Sequence, residues 1–288
     1  MALKAKKPEA VQNRLKMFVF SDTGVGKTTW GLQFPSPYII DGEKGTSNYK
    51  EEIDAVGGVV LQTSDIDEVI DEVRSLTTEK HEHRTLLIDP ITMIEADLID
   101  KAVTQYGEGD MRVWSKRDRQ LKRLVNLLYK LDMNVIVTAH SKPEYAEGGQ
   151  MKKIGMTFDA WKRWPYVFDL CIELQKQAGK RLAFVKKTRI RKFKDGESFP
   201  FSYDAICERF DRAIMERSAN AVVMASVTQV ARIKELLEVV AVPKEDVMKW
   251  LSKAGVDEFA DMNAADIGKC IDFLQKKFDT FKEVSNPI

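Results

Sequence analysis

The sequence predicts an α/β protein: a mostly parallel sheet flanked by helices, followed by a small all-helical domain at the C-terminal end. Three observations predict it. Short, uninterrupted apolar runs alternate with segments of helical spacing, the pattern of strands buried on both faces and joined by crossover helices. The first of these runs leads directly into a glycine-containing turn and a helix. From about residue 218 onward the strand-like runs stop and only helical patterns remain. A chain of 288 residues is long enough for a full α/β core plus one appended unit. The expected division is 1–217 and 218–288, with a linker near 217–220.

Taken in order, residues 16–21 form the first strand and 28–33 open a helix. Pro37-Tyr38-Ile39-Ile40-Asp41 is a second strand ending in an acid, and 58–62 a third. Ile66, Val69, Ile70 and Val73 fall at helical spacing. The run 84–89 is a strand ended by Asp89 and Pro90, followed by a helix over about 92–105 and a glycine-containing loop at 106–110. Leu121, Leu124, Val125 and Leu128 mark one face of a long helix over 114–131. Residues 134–140 are a buried strand, and 141–155 a polar, glycine-rich loop. Strands at 170–174 and 181–187 follow, then a turn at Lys194-Asp195-Gly196-Glu197. Helices are expected at 227–240, 244–254 and 264–281, with Pro243 starting one and Gly255 ending it. Leu236, Leu237, Val240, Trp250, Leu251, Ile267, Ile271 and Leu274 would form their core.

The formal net charge of +1 conceals an uneven distribution. Residues 41–110 carry 18 acids and 6 bases, whereas 141–195 carry 14 bases and 6 acids. A basic segment of that kind suits a polyanionic partner or a solvated face. The 3 cysteines are widely spaced, as expected of buried thiols in a reducing compartment. The basic start is followed by no apolar stretch and no segment approaches membrane-spanning length, so a cytoplasmic location without membrane association is expected.

The run Ser21-Asp22-Thr23-Gly24-Val25-Gly26-Lys27-Thr28-Thr29 has the order of a phosphate-binding loop, with Ser21 where the pattern usually begins with glycine. Successive backbone N–H groups would wrap the β- and γ-phosphates and the helix would present its positive end. Lys27 would reach the phosphates and Thr28 would hold Mg²⁺. Asp89, at a strand end, is the expected second magnesium residue. Glu43 follows the strand ending at Asp41 and would polarise the attacking water, with Asp41 as the competing base. His140 ends another strand and would sense the γ-phosphate. Trp161-Lys162-Arg163-Trp164, with Lys152 and Lys153 in the preceding loop, interleaves aromatic and basic residues as single-stranded nucleic acid requires. The same tryptophans would serve equally as core or subunit-interface anchors. Lys187 and Arg189, near a strand end, would supply positive charge to a neighbouring subunit's γ-phosphate.

Taken together, these parts resemble the RecA-like recombinase core over roughly residues 10–213. The resemblance makes Asp41-Gly42-Glu43 the acidic segment with Glu43 as catalytic glutamate, and the Asp89 strand the magnesium strand. It makes 106–114 and 141–160 the first and second DNA-binding loops. His140 stands where the family usually has glutamine, and Lys187 and Arg189 where it has two trans-acting lysines. The chain is also similar to compact phage-encoded RecA-like ATPases assigned to single-strand annealing and recombination. The resemblance implies ATP binding and Mg²⁺-dependent hydrolysis coupled to single-stranded DNA binding, annealing or strand exchange. It further implies a homo-oligomer with nucleotide between subunits, a single-strand binding or replication protein as a possible partner, and residence in the cytoplasm of a phage-infected or lysogenic bacterium. The competing reading is a nucleotide-switched loading or assembly module that recruits a partner through its C-terminal helices. A small-molecule kinase fits less well, because no arginine-rich lid helix is visible.

Overall fold

A computed structural model describes residues 13–146 and 152–285. Among them, β1 (Lys16–Ser21), β2 (Pro37–Asp41), β3 (Val59–Gln62), β4 (Thr85–Asp89), β5 (Asn134–Tyr145), β6 (Lys153–Phe158), β7 (Leu170–Gln177), β8 (Lys180–Thr188) and β9 (Ser198–Pro200) form one sheet. Its order is β3-β2-β4-β5-β1-β7-β8-β9, with β6 paired to β5 off that path. The six strands from β3 to β7 run parallel; β6, β8 and β9 pair antiparallel. The order follows from residue type. Met17, Phe18 and Val19 in β1, and Leu86, Leu87 and Ile88 in β4, are wholly buried, which only strands covered on both faces allow.

Helices supply the crossovers: α1 (Lys27–Gly31), α2 (Lys50–Ala55) after a short 3₁₀ turn at Gly45–Tyr49, α3 (Ile66–Thr78), α4 (Ile91–Tyr106), α5 (Met111–Lys130) and the short α6 (Trp164–Val167). Helix α1 is shorter than its sequence suggests, with only 5 residues. Gly31 explains its seat: a Cβ there would lie 2.6 Å from Leu87 Cδ2, so the helix rests directly on β4. Two further short helices, α7 (Tyr203–Arg209) and α8 (Arg212–Glu216), start at Ser202 and Asp211, whose side chains accept from Ala205 N and Ala213 N.

The polar segment after 140 is a correction. It was expected as a loop, but β5 continues to Tyr145 and returns as β6, making an antiparallel ribbon. Residues 147–151 lie outside the described residues, as do the basic residues 1–12. The 106–114 segment is likewise compact: α4 runs to Tyr106, α5 starts at Met111, and Gly107 and Gly109 turn the chain between them at positive φ.

Contact clustering separates two units. The sheet belongs to the first. The second contains α9 (Val227–Val239), α10 (Lys244–Ala254) and α11 (Ala264–Ser285), and takes in Ile70–Lys80 and Asp118–Leu131. Its core is Ile233, Leu236, Val256, Met262, Ile267 and Leu274, with Leu237, Val240, Trp250, Leu251 and Ile271 packed against it. Ser226 and Gln229 form a reciprocal cap on α9, and Gly255 ends α10 in the left-handed region. Within this unit Arg74 and Arg123 pair with the buried Asp261.

Candidate nucleotide site

The loop leaving β1 contains two glycines at positive φ, Gly24 at 74° and Gly26 at 106°. Alternation of this kind turns successive N–H groups toward one concavity, the geometry of an anion nest. Ser21 needs no glycine conformation because it is still in the sheet, opposite His140 and Leu174. The Lys27 ammonium donates to the carbonyl and hydroxyl oxygens of Ser21, both at 3.3 Å. Burial lowers its pKa from the ordinary lysine value, opposed by the carboxylates of Asp89, Glu43 and Asp22. The short α1 has little macrodipole to offer, so the nest amides and Lys27 are the groups available to an anion.

Asp89 is buried at the end of β4. Its two carboxylate oxygens accept from the Thr28 and Thr138 hydroxyls. Thr138 was not anticipated. The signal was present: it lies two positions before His140 on one strand, and alternate residues share a face. Glu43 lies just past β2, its Oε1 2.7 Å from His140 Nε2. Asp41 is occupied elsewhere. Its Oδ1 accepts from Glu43 N at 3.0 Å, and its Oδ2 from Thr46 N at 2.9 Å and Thr46 Oγ1 at 2.6 Å. It shapes the turn that carries Glu43 into the cleft.

His140 is itself braced. Its N–H donates to Thr92 Oγ1 at 3.0 Å, and its carbonyl accepts from Asp159 N at 2.7 Å. Ser141 donates from its hydroxyl to Asp22 of the loop. Lys27, Thr28, Asp89, Glu43 and His140 therefore share one place, at the C-terminal ends of β1, β2, β4 and β5. This is where open parallel sheets bind ligands. The oxygens of Thr28 and Asp89 suit Mg²⁺, which takes few protein ligands and completes its shell with phosphate and water. Among the described residues no group of three or more His, Cys, Asp and Glu side chains gathers as a separate metal site.

Lys187 and Arg189 are not brought to this place. Strand β8 runs back, so Lys187 lies opposite Cys171, which pairs with Phe18 far from the loop. The Lys187 ammonium donates to Phe168 O, and Arg189 donates to Tyr166 O at 3.0 Å. The β8 cation beside the phosphate loop is instead Arg181, whose Nε donates to Val25 O at 2.7 Å.

The tryptophans are a second correction. Trp161 is 6% exposed and Trp164 is fully buried, so neither ring offers a face to a base. Trp164 packs among Phe18 and Phe168, with centroids at 6.3 and 5.7 Å. Its Nε1 donates to Glu95 at 2.6 Å, and Trp161 N donates to the same oxygen at 3.1 Å. Burial pushes the Glu95 carboxyl up to about 6. Lys152, Lys153, Lys162 and Arg163 are exposed. Accessible pairing of aromatic and cationic groups occurs elsewhere, with Arg117 over Trp114 at 4.7 Å and Arg112 over Tyr106 at 4.9 Å.

Residues 13–200, which hold the phosphate loop, both strand-end acids and His140, match the AAA domain family. The chain belongs to this family. No curated protein matches it. Among solved structures, this AAA domain is similar to a DnaB-like replicative helicase described with its interactions with primase, at 12% identity and a TM-score of 0.42 over 65% of this chain. The chain spans 54% of that helicase's length. It is also similar to an ATPase from the type III secretion system of pathogenic bacteria, at 14% identity and a TM-score of 0.35, covering 96% of this chain and 89% of that one. Among the described residues no helix is long and apolar enough to cross a membrane.

Proposed function

We propose that the protein hydrolyses ATP with Mg²⁺ and couples nucleotide state to single-stranded DNA binding, in annealing or strand exchange during recombination of the phage type. The observation that supports this most directly is the convergence of Lys27, Thr28, Asp89, Glu43 and His140 at one end of the sheet. The nest amides and Lys27 hold the β- and γ-phosphates. Thr28 and Asp89 would hold Mg²⁺, which neutralises charge on the phosphate oxygens. Glu43 accepts a proton from water as its oxygen attacks the γ-phosphorus; the bond to the bridging oxygen breaks, releasing ADP and phosphate. His140, whose Nε2 lies 2.7 Å from Glu43 Oε1, would register the loss of that phosphate.

The β5–β6 ribbon starts at His140, so a change there has a paired strand to act on. Lys152, Lys153, Lys162 and Arg163 would contact DNA phosphates, with Tyr106 and Trp114 as stacking surfaces in place of Trp161 and Trp164. Lys187 and Arg189 lie away from their own loop, and in a head-to-tail homo-oligomer they would serve the neighbour's nucleotide.

The test is ATP turnover with single-stranded, duplex and no DNA, at two salt concentrations. Single-stranded DNA should stimulate turnover, with an affinity that weakens as salt rises. Lys27→Ala should reduce turnover by roughly 100-fold or more. A rate indifferent to DNA would instead favour a nucleotide-switched loading module. A pocket of about 330 Å³ in the helical unit, lined by Trp250, Met262 and Phe273, supplies that alternative with a surface for a replication or single-strand binding protein.

A further inference from the structure

The phosphate loop is gripped from outside by a residue with no part in the scheme above. Arg181 stands near the start of β8, opposite Lys176, just beyond the point where Leu174 pairs with Ser21 at the end of β1. Its carbonyl accepts from Phe201 N at 3.1 Å, so its backbone is fixed by the sheet. Its Nε–H donates to Val25 O at 2.7 Å. A Cβ on Gly26 would come within 2.8 Å of that nitrogen, so the guanidinium covers the loop closely. Among the described residues it has no carboxylate partner.

The carbonyl of Val25 and the N–H of Gly26 belong to one peptide unit. In a trans peptide they point in opposite directions. A donor fixed on the carbonyl therefore aims the Gly26 N–H to the other side of the plane. The peptide needs such a restraint on its N–H side, because Gly26, at φ 106°, lacks the Cβ that would limit rotation there. We infer that Arg181 is a positioning residue that orients the Val25–Gly26 peptide for polyphosphate binding, through its Nε–H bond to Val25 and not through its charge. The inference rests on the nucleotide-binding reading of the loop.

Glutamine distinguishes the two roles, since its Nε2 stands as many bonds from Cα as the arginine Nε but is neutral. The experiment measures MgADP affinity of the full chain by calorimetry at low and high salt for Arg181→Met, Arg181→Ala and Arg181→Gln. Losing the one hydrogen bond to the loop carbonyl should weaken binding by about tenfold in the methionine and alanine variants. Glutamine should stay within about threefold of wild type, and the methionine-to-wild-type ratio should not change with salt. Equal losses in glutamine and methionine would overturn the inference in favour of a charge effect, and wild-type affinity in all three would overturn it by removing any role for Arg181. Melting curves without nucleotide establish that the variants are folded. Lys27→Ala is the control for the underlying reading: if it binds MgADP as well as wild type, or if wild type does not bind, the nucleotide site itself is wrong and the inference falls with it.

Discussion

Two aspartates end adjacent strands in register, Asp41 on β2 and Asp89 on β4, and they do different work. Both are buried. Asp41 is surrounded mainly by donors that cannot turn away: the N–H groups of Glu43 and Thr46, with the Thr46 hydroxyl beside them. Asp89 meets two hydroxyls, from Thr28 and Thr138. A backbone N–H can only donate, whereas a hydroxyl can rotate and offer its own lone pairs to a cation. Position in the sheet is therefore not what would fit a strand-end acid for the proposed magnesium role. The exchangeability of its hydrogen-bond partners is.

The largest expected effect separates the two acids by activity. Asp89→Asn should reduce ATP turnover by roughly 100-fold or more while leaving the melting temperature within a few degrees, because both hydroxyls can reorient around an amide. A comparable loss of turnover is expected in Glu43→Gln, with MgADP affinity retained, as befits a group acting on water and not on the bound diphosphate. If Glu43→Gln turns over normally, the base lies elsewhere and the contrast between the strand ends loses its meaning.

Asp41→Asn should behave in the opposite way. The amide can accept from Glu43 N, but its NH₂ then faces the Thr46 donors. Loss of that charge-assisted pairing should cost about 2–3 kcal/mol. Thermal melts should show a fall of roughly 4–10 °C, with turnover reduced only as far as Glu43 is displaced. A variant that melts normally but has lost turnover would make Asp41 the catalytic acid after all.

Glu95 gives the smallest effect and refines the comparison, as a third buried carboxylate that meets only N–H donors. Its pKa is raised by burial from 4.5 to about 6, so the folded chain retains a proton that the unfolded chain releases across that interval. Stability contributed by this group is present below about pH 4.5 and is lost as pH rises through about 6. The difference is worth about 2 kcal/mol. Glu95→Gln keeps an acceptor for the indole and never ionises, so it should melt higher than wild type near neutral pH and equally near pH 4.5. Equal melting at both would mean that the carboxyl is not desolvated.

The legible parts of the site are those fixed by the backbone. Glycine, lysine and threonine in that order dictate a nest and a helix start, and an apolar run ending in Asp89 dictates where the acid emerges. What separates Asp41 from Asp89 is which donors surround each, and those come from Thr46 in one case and from distant Thr138 in the other. The sequence left the tryptophans between base stacking and the core for a similar reason: Trp164 is buried by Phe18 and satisfied by Glu95, neither of them near it in sequence. Lys187 and Arg189 depended on strand direction. A reversal at Ala178 and Gly179, both at positive φ, sends β8 back and carries them to the far end of the sheet. Composition registered a basic strand but not which way it ran. The capture of parts of α3 and α5 by the helical unit also leaves no mark on their periodicity, because an apolar stripe does not name its partner.

Gly31 has a consequence that reaches past packing. The helix bearing Lys27 and Thr28 packs on the buried Leu87 side chain, two residues before Asp89, and a Cβ at residue 31 would lie 2.6 Å from Leu87 Cδ2. A single added carbon at that chemically silent glycine must therefore displace Leu87 or shift the short helix, and under the proposed scheme a packing change would be read out as lost turnover.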